Sequence, residues 1–209
     1  MGANVVAQED VKKRAILAAA RELFFAQGYD TTSMDEVAKQ AGVSKATVYA
    51  HFDNKERLLL QLVGESVELM QIDHRDVTFE THEELSRVLR RLATQFNSIF
   101  LVRESAELHR LLIAQAHKFE AIGQAFYEAG PLFFEREVSY VLRQGVEKKL
   151  LEIGNIRIAA AQFLALVVGT LPLRTALSLP ATEAEDMDAT IDAGLKTFFA
   201  AFSAPALRS

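Results

Sequence analysis

The first 130 residues of this 209-residue chain contain no proline, since its four prolines are Pro131, Pro172, Pro180 and Pro205. Proline interrupts a helix because it lacks an N–H donor and clashes with the preceding turn. Long alternating runs of β-branched residues are missing as well, whereas the good helix formers Ala, Leu, Glu, Gln, Arg and Lys are abundant. These features together predict an all-α fold.

Helix start and stop signals divide the chain into nine or ten predicted helices. Gly28 and Gly42 end the first two, and Thr81 with Glu84 forms a capping-box pattern that opens the fifth. The expected spans are about residues 10–27, 34–41, 44–51, 53–73, 81–102, 104–117, 120–129, 131–149, 155–177 and 182–202. No internal repeat or low-complexity linker separates them.

Composition and charge exclude several classes of protein. Half of the residues are hydrophobic, which is enough for a sizeable core, and the absence of cysteine excludes disulfides, Cys-ligated zinc and thiol nucleophiles. The net charge of −5 excludes a uniformly basic protein that coats nucleic acid, but it leaves room for a local basic face.

No segment of the sequence is typical of a targeting or membrane element. The first 14 residues are too polar for a secretory signal peptide. The most apolar stretch, between Arg157 and Arg174, holds 16 residues, whereas a bilayer span needs about 20. We therefore expect a soluble, cytoplasmic protein with no membrane partner.

Residues 28–55 contain the most specific motif, two short predicted helices separated by Ala41-Gly42-Val43-Ser44. Gly42 can adopt the left-handed conformation that ends a helix, and Ser44 can cap the next one. This is the arrangement of a helix-turn-helix, whose second helix enters the major groove of DNA.

Side chains in the first turn of that second helix are candidates for contact with base edges. Lys45, Ala46 and Thr47 occupy this turn, behind the capping residue Ser44, and Ala46 is suited to contact with a thymine methyl group. Val48, four residues before Phe52, is expected to face the first helix of the motif as part of a small core.

A second group of side chains is suited to the phosphate backbone. Tyr49 and His51 have donors for phosphate oxygens, Ser33 lies at a helix N-terminus that attracts anions, and Lys55 opens the following helix. Tyr49 as a core aromatic and His51 as a solvated surface residue are the alternatives.

The stretch ILAAARELFFAQGYDTTSMDEVAKQAGVSKATVYAHFDNKERLL resembles the DNA-binding domain of the TetR family of transcriptional regulators over about 45 residues. The matching positions are Gly28-Tyr29, Thr32-Ser33, Val37-Ala38, Ala41-Gly42-Val43, Thr47-Val48-Tyr49, His51-Phe52 and Lys55. The resemblance implies a homodimer that binds a palindromic operator in double-stranded DNA, with one recognition helix per half-site. It also implies release of the DNA when a small-molecule effector binds the C-terminal region.

The C-terminal region resembles the AefR-like subgroup of the same family. The similar segments are HRLLIAQAHKFEAIGQAFYEAGP (109–131) and AAAQFLALVVGTLPLR (159–174). The resemblance implies a DNA-binding domain over residues 1–55 and an effector-binding and dimerisation domain over residues 56–209. It also implies that the helices over 155–177 and 182–202 pair with their counterparts in a four-helix bundle, although their apolar faces would equally suit an internal core.

An effector pocket would be built from the middle helices, and we expect a largely apolar effector. The candidate ligand-binding residues are Phe96, Phe100, His109, Phe126, Tyr127 and Gln162. Gln162 is a polar residue inside an apolar helix, so a buried position would require a hydrogen-bond partner. A bundle that is packed solid is the alternative for most of these residues.

The chain lacks the motifs of catalytic and cofactor-binding proteins. It has no G-x-G-x-x-G, Walker or G-x-S-x-G sequence, and the helix start at His82 lacks the second histidine of a metalloprotease. His74, Asp76 and His82 are interpreted as a solvated connector rather than a metal site. We expect neither an enzyme nor a cofactor or metal.

The sequence therefore predicts a ligand-responsive transcriptional regulator, most simply a repressor. The same DNA-binding dimer acting without an effector, or as an activator, is one alternative. An enzyme or small-molecule carrier with a vestigial helix-turn-helix is the alternative from another class.

The predicted phosphate contact of Lys55 can be tested by salt titration of DNA binding. Each lost lysine–phosphate contact should lower the slope of log affinity against log salt by about 0.9, because one fewer counterion is released. Titrations of wild type and Lys55→Ala on the same operator measure this slope, and two identical slopes would contradict the contact.

Overall fold

The computed structural model describes residues 2–69, 78–180 and 184–205. Within these ranges the chain forms eleven α-helices and no β-strand, which confirms the predicted all-α fold. The helices are α1 (Gly2–Gln27), α2 (Met34–Gln40), α3 (Lys45–His51), α4 (Lys55–Leu69), α5 (His82–Leu101), α6 (Arg103–Ala116), α7 (Glu120–Ala129), α8 (Pro131–Glu147), α9 (Ile156–Val168), α10 (Leu171–Ala176) and α11 (Ala184–Phe202).

Most predicted helices are found close to their expected bounds, with two differences. Helix α1 begins eight residues earlier than the sequence signals indicated. The single helix expected over residues 155–177 is wrong, because α9 ends at Gly169 and α10 starts separately. Gly169 has a φ of +55°, a conformation that favours glycine, and Pro172 lies in the first turn of α10, where its missing N–H costs nothing.

The first compact unit combines residues up to Leu69 with Leu111–Phe126. Helix α1 packs on α2 and α4, and α2 packs on α3. As expected, Val48 and Phe52 are buried. The other large apolar side chains that are fully or almost fully buried in these helices are Ile16, Leu17, Phe24, Val37, Leu58, Leu59 and Leu62.

The second compact unit contains the remaining helices, with α9 packed against α8 and α11 and α5 packed against α8. Its core is built from aromatic and aliphatic side chains that include Phe134, Phe163 and Phe198. The buried amide of Asn97 donates a hydrogen bond of 3.0 Å to the carbonyl oxygen of Val167, which links α5 to α9.

The packing boundary does not coincide with the predicted functional boundary between residues 55 and 56. Helix α4 packs in the first unit, and so does the segment 111–126, which the functional division assigns to the effector domain. The division by function over 1–55 and 56–209 stays a prediction.

Among the described residues, no helix combines the length and apolar character needed to cross a membrane.

The close approach of α9 and α11 should depend on Gly194. A Cβ atom at this position would lie 2.9 Å from the carbonyl oxygen of Leu166, which is backbone and cannot rotate away. Gly194→Ala should therefore lower the free energy of unfolding by about 1–3 kcal/mol, as overpacked core substitutions do. Urea denaturation of the variant and of wild type measures the change.

Gly154→Ala is the matched control, because a Cβ there would meet nothing within 4 Å. It should change the free energy of unfolding by less than about 0.5 kcal/mol. Equal midpoints for both variants would show that the helices adjust freely at Gly194.

Candidate nucleic-acid interface

Local hydrogen bonds fix the start of α2. The Ser33 hydroxyl accepts from the Glu36 N–H, and the Ser33 N–H donates back to the Glu36 carboxylate at 2.7 Å, which forms a complete capping box. Hydrogen bonds from the Ser33 N–H and hydroxyl lower the pKa of Glu36. Ser33 must release the Glu36 carboxylate before its own N–H or hydroxyl binds a phosphate, and its role as a phosphate contact stays a prediction.

A glycine that ends α2 and a serine that caps α3 form the turn between the two helices. Gly42 has a φ of +67°, and the next N–H, of Val43, donates to the Ala38 carbonyl oxygen at 3.1 Å. Ser44 then caps α3 by accepting from the Thr47 N–H at 3.1 Å. The helix-turn-helix geometry predicted from these residues is therefore present.

Helix α3 buries Val48 and presents its opposite face to solvent. Lys45, Ala46 and Tyr49 are exposed on that face, Tyr49 by 51% of its surface, and Thr47 is half-buried. Tyr49 is therefore not a core aromatic, and the alternative interpretation of this residue is wrong.

Two of the candidate base contacts already have partners. The Lys45 ammonium lies 2.5 Å from the Asp35 carboxylate of α2, and the Thr47 hydroxyl lies 2.8 Å from that of Ser44. Lys45 must exchange its carboxylate partner for a base or a phosphate if it contacts DNA.

Lys55 ties the start of α4 to the turn that follows α1. Its ammonium donates to the carbonyl oxygens of Tyr29 at 2.6 Å and Asp30 at 3.2 Å, and it lies 4.6 Å from the centre of the Tyr29 ring. An ammonium has three donors, so one N–H remains for a phosphate oxygen.

The sequence patterns gave no indication of the contacts that surround Tyr29. Its ring packs on Phe24 at 5.2 Å and edge-on to Phe119 at 5.7 Å, and burial raises the pKa of Tyr29 to about 12. The Lys118 ammonium lies 2.6 Å from Asp30, and this hydrogen bond lowers the pKa of the Asp30 carboxyl. The segment 111–126 thus holds the same turn that Lys55 holds.

Two clefts lie on either side of the connection between α3 and α4. The first, of about 430 Å³, is lined by Tyr29, Met34, Tyr49, Asp53, Asn54, Lys55, Glu56 and Phe119. The second, of about 340 Å³, is lined by Lys13, His51, Phe52, Asp53, Arg57, Leu60 and Gln61. Of the predicted phosphate contacts, Tyr49 and Lys55 line the first cleft, His51 lines the second, and Ser33 lines neither. The cationic residues Lys13 and Arg57 were not among the predicted contacts.

Three of the predicted ligand-binding residues lie together in the second unit. The rings of Phe96 and Phe100 are 5.7 Å apart, and His109 lies edge-on to Phe100 at 5.0 Å. All three are buried. Burial, together with the positive charge of Arg110, lowers the pKa of His109 to about 4.

The other three predicted ligand-binding residues are placed differently. Phe126 is half-buried and belongs to the first unit, whereas Tyr127 is 53% exposed. Gln162 is exposed too, because α9 buries Phe163 and Ala159 and turns the Gln162 position outward. The expectation that Tyr127 and Gln162 face inward is wrong, and the amide of Gln162 needs no buried partner.

The histidine and acid residues considered as a metal site are only partly described. His74 and Asp76 lie outside the described residues. His82 is not part of a solvated connector, since its ring packs on Phe199 at 4.1 Å and its Nε2 lies 2.8 Å from the Ser203 hydroxyl. No group of three metal-ligating side chains occurs among the residues that the structure describes.

Comparison with protein families identifies both halves of the chain. A profile described as bacterial regulatory proteins of the tetR family matches residues 16–62. A second, described as the C-terminal domain of AefR-like transcriptional repressors, matches residues 87–204. Both resemblances noted in the sequence are confirmed.

Individual relatives agree with the family profiles. The HTH-type transcriptional regulator SrpR of Pseudomonas putida is 25% identical over 192 residues, which cover 80% of this chain and 90% of SrpR. The HTH-type transcriptional activator FasR of Mycolicibacterium smegmatis is 41% identical over 59 residues, which are only 27% of FasR. The solved structure of the flavonoid-responsive regulator FrrA is 36% identical, with a TM-score of 0.75 over 92% of this chain and 97% of FrrA.

The lowered pKa of His109 predicts acid destabilisation. Below about pH 6.5 the unfolded chain protonates this histidine, whereas the folded chain does not until about pH 4. The free energy of unfolding should therefore fall by about 3 kcal/mol as the pH drops through this window. Urea denaturation at a series of pH values measures the slope.

His109→Gln should flatten that pH dependence. His117→Gln, at an exposed position just after the same helix, should retain the wild-type slope. Identical slopes in all three proteins would show that the protonation of His109 does not oppose folding.

Proposed function

Since the chain belongs to the tetR family of bacterial regulatory proteins, we propose that it is a repressor that binds a palindromic operator as a homodimer and is released by a small-molecule effector. The chain is a DNA-binding transcriptional regulator, as its family and relatives are, and not an enzyme. The observation that supports the proposal best is the solvent-facing surface of α3, held between Ser44 and Phe52.

The DNA contacts proposed for α3 follow from its exposed face. Lys45, Ala46 and Thr47 read base edges from the first turn, and Tyr49 and His51 bind phosphates further along. Lys55 uses its remaining N–H for a phosphate while its other donors hold the turn at Tyr29.

An exposed face on α9 supports the dimer. Ile158 and Leu166 are 48% and 37% exposed on this helix, and Ala161, Gln162 and Ala165 lie beside them in solvent. Burial of such a surface of small and apolar side chains favours close packing against a second copy. Two recognition helices in the dimer then contact half-sites about one helical turn, about 34–36 Å, apart.

The aromatic cluster supports a largely apolar effector. Phe96, Phe100 and His109 lie in contact, and His109 is neutral at physiological pH because of its lowered pKa. A relative that is 36% identical is named as flavonoid-responsive, which supports small-molecule control of this chain as well.

Coupling between effector and DNA would act on the turn at Tyr29. Helix α4 begins at Lys55 and is held to α1 by an ion pair of 3.1 Å between Arg21 and Glu65. The α6–α7 segment, which contributes Lys118 and Phe119, holds the other side of the turn. The effector shifts the equilibrium only by its preference for the form that does not bind DNA.

A footprint of the purified protein on the DNA upstream of its own gene, with competitor DNA present, tests the proposal. For a repressor, we expect the protein to protect a near-palindrome. We also expect this protection to be lost when an effector from a compound screen is added. Protection together with increased transcription from the adjacent promoter would favour an activator instead, as FasR is named.

A matched pair of tyrosine variants tests the recognition helix. Tyr49→Phe removes only the hydroxyl donor, and the dimer loses one hydrogen bond to a charged group in each half-site, so operator affinity should fall about a hundredfold. Tyr140→Phe makes the same chemical change at an exposed tyrosine of α8 and should leave affinity unchanged. Equal affinities for both variants, measured by fluorescence anisotropy, would contradict the assigned role of Tyr49.

A further inference from the structure

The second cleft beside α3 brings together hydrogen-bonding side chains from three helices, two of them cationic. Lys13 comes from α1, His51 is the last residue of α3, and Arg57 lies in the first turn of α4. Gln61, one turn beyond Arg57, adds an amide donor to the same wall. Residues that are distant in sequence thus present donors to a single volume of about 340 Å³.

Local positive charge is scarce in this part of the molecule. Residues 1–55 contain seven Lys and Arg side chains and seven Asp and Glu side chains, so the helix-turn-helix has no net charge. Binding to DNA nevertheless requires cations close to phosphates. Cations that are not neutralised by a neighbouring carboxylate are therefore the ones available to bind phosphates.

Lys13 and Arg57 are two of these cations. Lys12, Arg14 and Lys39 likewise form no ion pair within the described residues, but they do not line the cleft, whereas Lys13 and Arg57 do. Lys45 is paired with Asp35, and Arg21 is paired with Glu65. Neither Lys13 nor Arg57 forms an ion pair with any residue in the described part of the chain. Two available positive charges and His51 face one acidic residue, Asp53, in this cleft.

We propose that the cleft formed by Lys13, His51 and Arg57 binds a phosphate group of the DNA backbone, next to the phosphate bound by Tyr49 and Lys55. This inference rests on the DNA-binding function proposed above and extends it to α1 and α4. Asp53 lines both clefts, so the two sites lie side by side around the α3–α4 connection. In this proposal each of the two sites binds one phosphate of the same DNA strand.

Salt titrations of operator binding with Lys13→Gln and Arg57→Gln test the site. Glutamine keeps most of the side-chain stem and removes the charge. Each variant loses one contact per half-site, so the slope of log affinity against log salt should fall by about 1.8 for the dimer. The advantage of wild type over either variant should then shrink about tenfold between 50 and 200 mM salt.

Lys12→Gln is the matched control. Lys12 is exposed on α1 directly before Lys13 but does not line the cleft. It should retain the wild-type slope, and circular dichroism should show the same helix content in all variants. If Lys12→Gln and Lys13→Gln lowered the salt slope equally, the proposal would be overturned, because the result would show a general effect of charge.

Wild-type slopes for both Lys13→Gln and Arg57→Gln, on an operator that wild type binds, would overturn the proposal while leaving the DNA-binding function intact. Inorganic phosphate, compared with chloride at equal ionic strength, provides the second arm. A contrary result would be that phosphate stabilises wild type but neither variant against heat, while both variants keep the wild-type salt slope for operator binding. That pair of results would assign the cleft to a free anion and overturn the DNA contact. A wild type that protects no DNA would instead contradict the proposed function itself.

Discussion

The ammonium group of Lys55 makes the interaction on which the DNA-facing part of the molecule depends. It joins the first residue of α4 to the carbonyl oxygens of the turn after α1 and lies over the ring of Tyr29. The same turn is held from the other side by Lys118 and Phe119. An ammonium group that is already bound to backbone carbonyl oxygens and to an aromatic ring loses little free energy when its third N–H donor stays in solvent. One residue can therefore combine a structural and a binding role.

Elements governed by local chemistry were predictable from the sequence. Ser33 and Ser44 cap their helices, and Gly42 ends α2, because each of these effects involves residues within four positions of one another. The break at Gly169 was missed because an apolar run on both sides of a glycine is also compatible with a continuous helix. The spacing of Gly169 and Pro172 is itself a local stop signal, but the apolar run outweighed it in the prediction.

Contacts between distant residues were not predictable in the same way. Phe119 lies 90 positions from Tyr29, and no pattern of hydrophobic period connects them. Lys13 and Arg57 were missed for the same reason, since Lys13 precedes the matched stretch, Arg57 is not one of its matching positions, and no local pattern connects α1 to the start of α4. Gln162 was left open by the sequence, because a polar residue in an apolar helix needs a partner only if it is buried; the structure places it on the exposed face of α9.

The ion pair between Lys45 and Asp35 has a consequence for affinity. In the free protein, the lysine proposed to reach a base is paired with a carboxylate from the preceding helix. A contact between Lys45 and DNA must replace this pair, so the net gain from the contact is smaller than it is for an unpaired lysine. Because the two side chains are 66% and 54% exposed, the pair contributes at most about 1 kcal/mol. The same cost applies at every site where Lys45 leaves Asp35, so the pair lowers the affinity of such sites together and leaves the ratio between them unchanged.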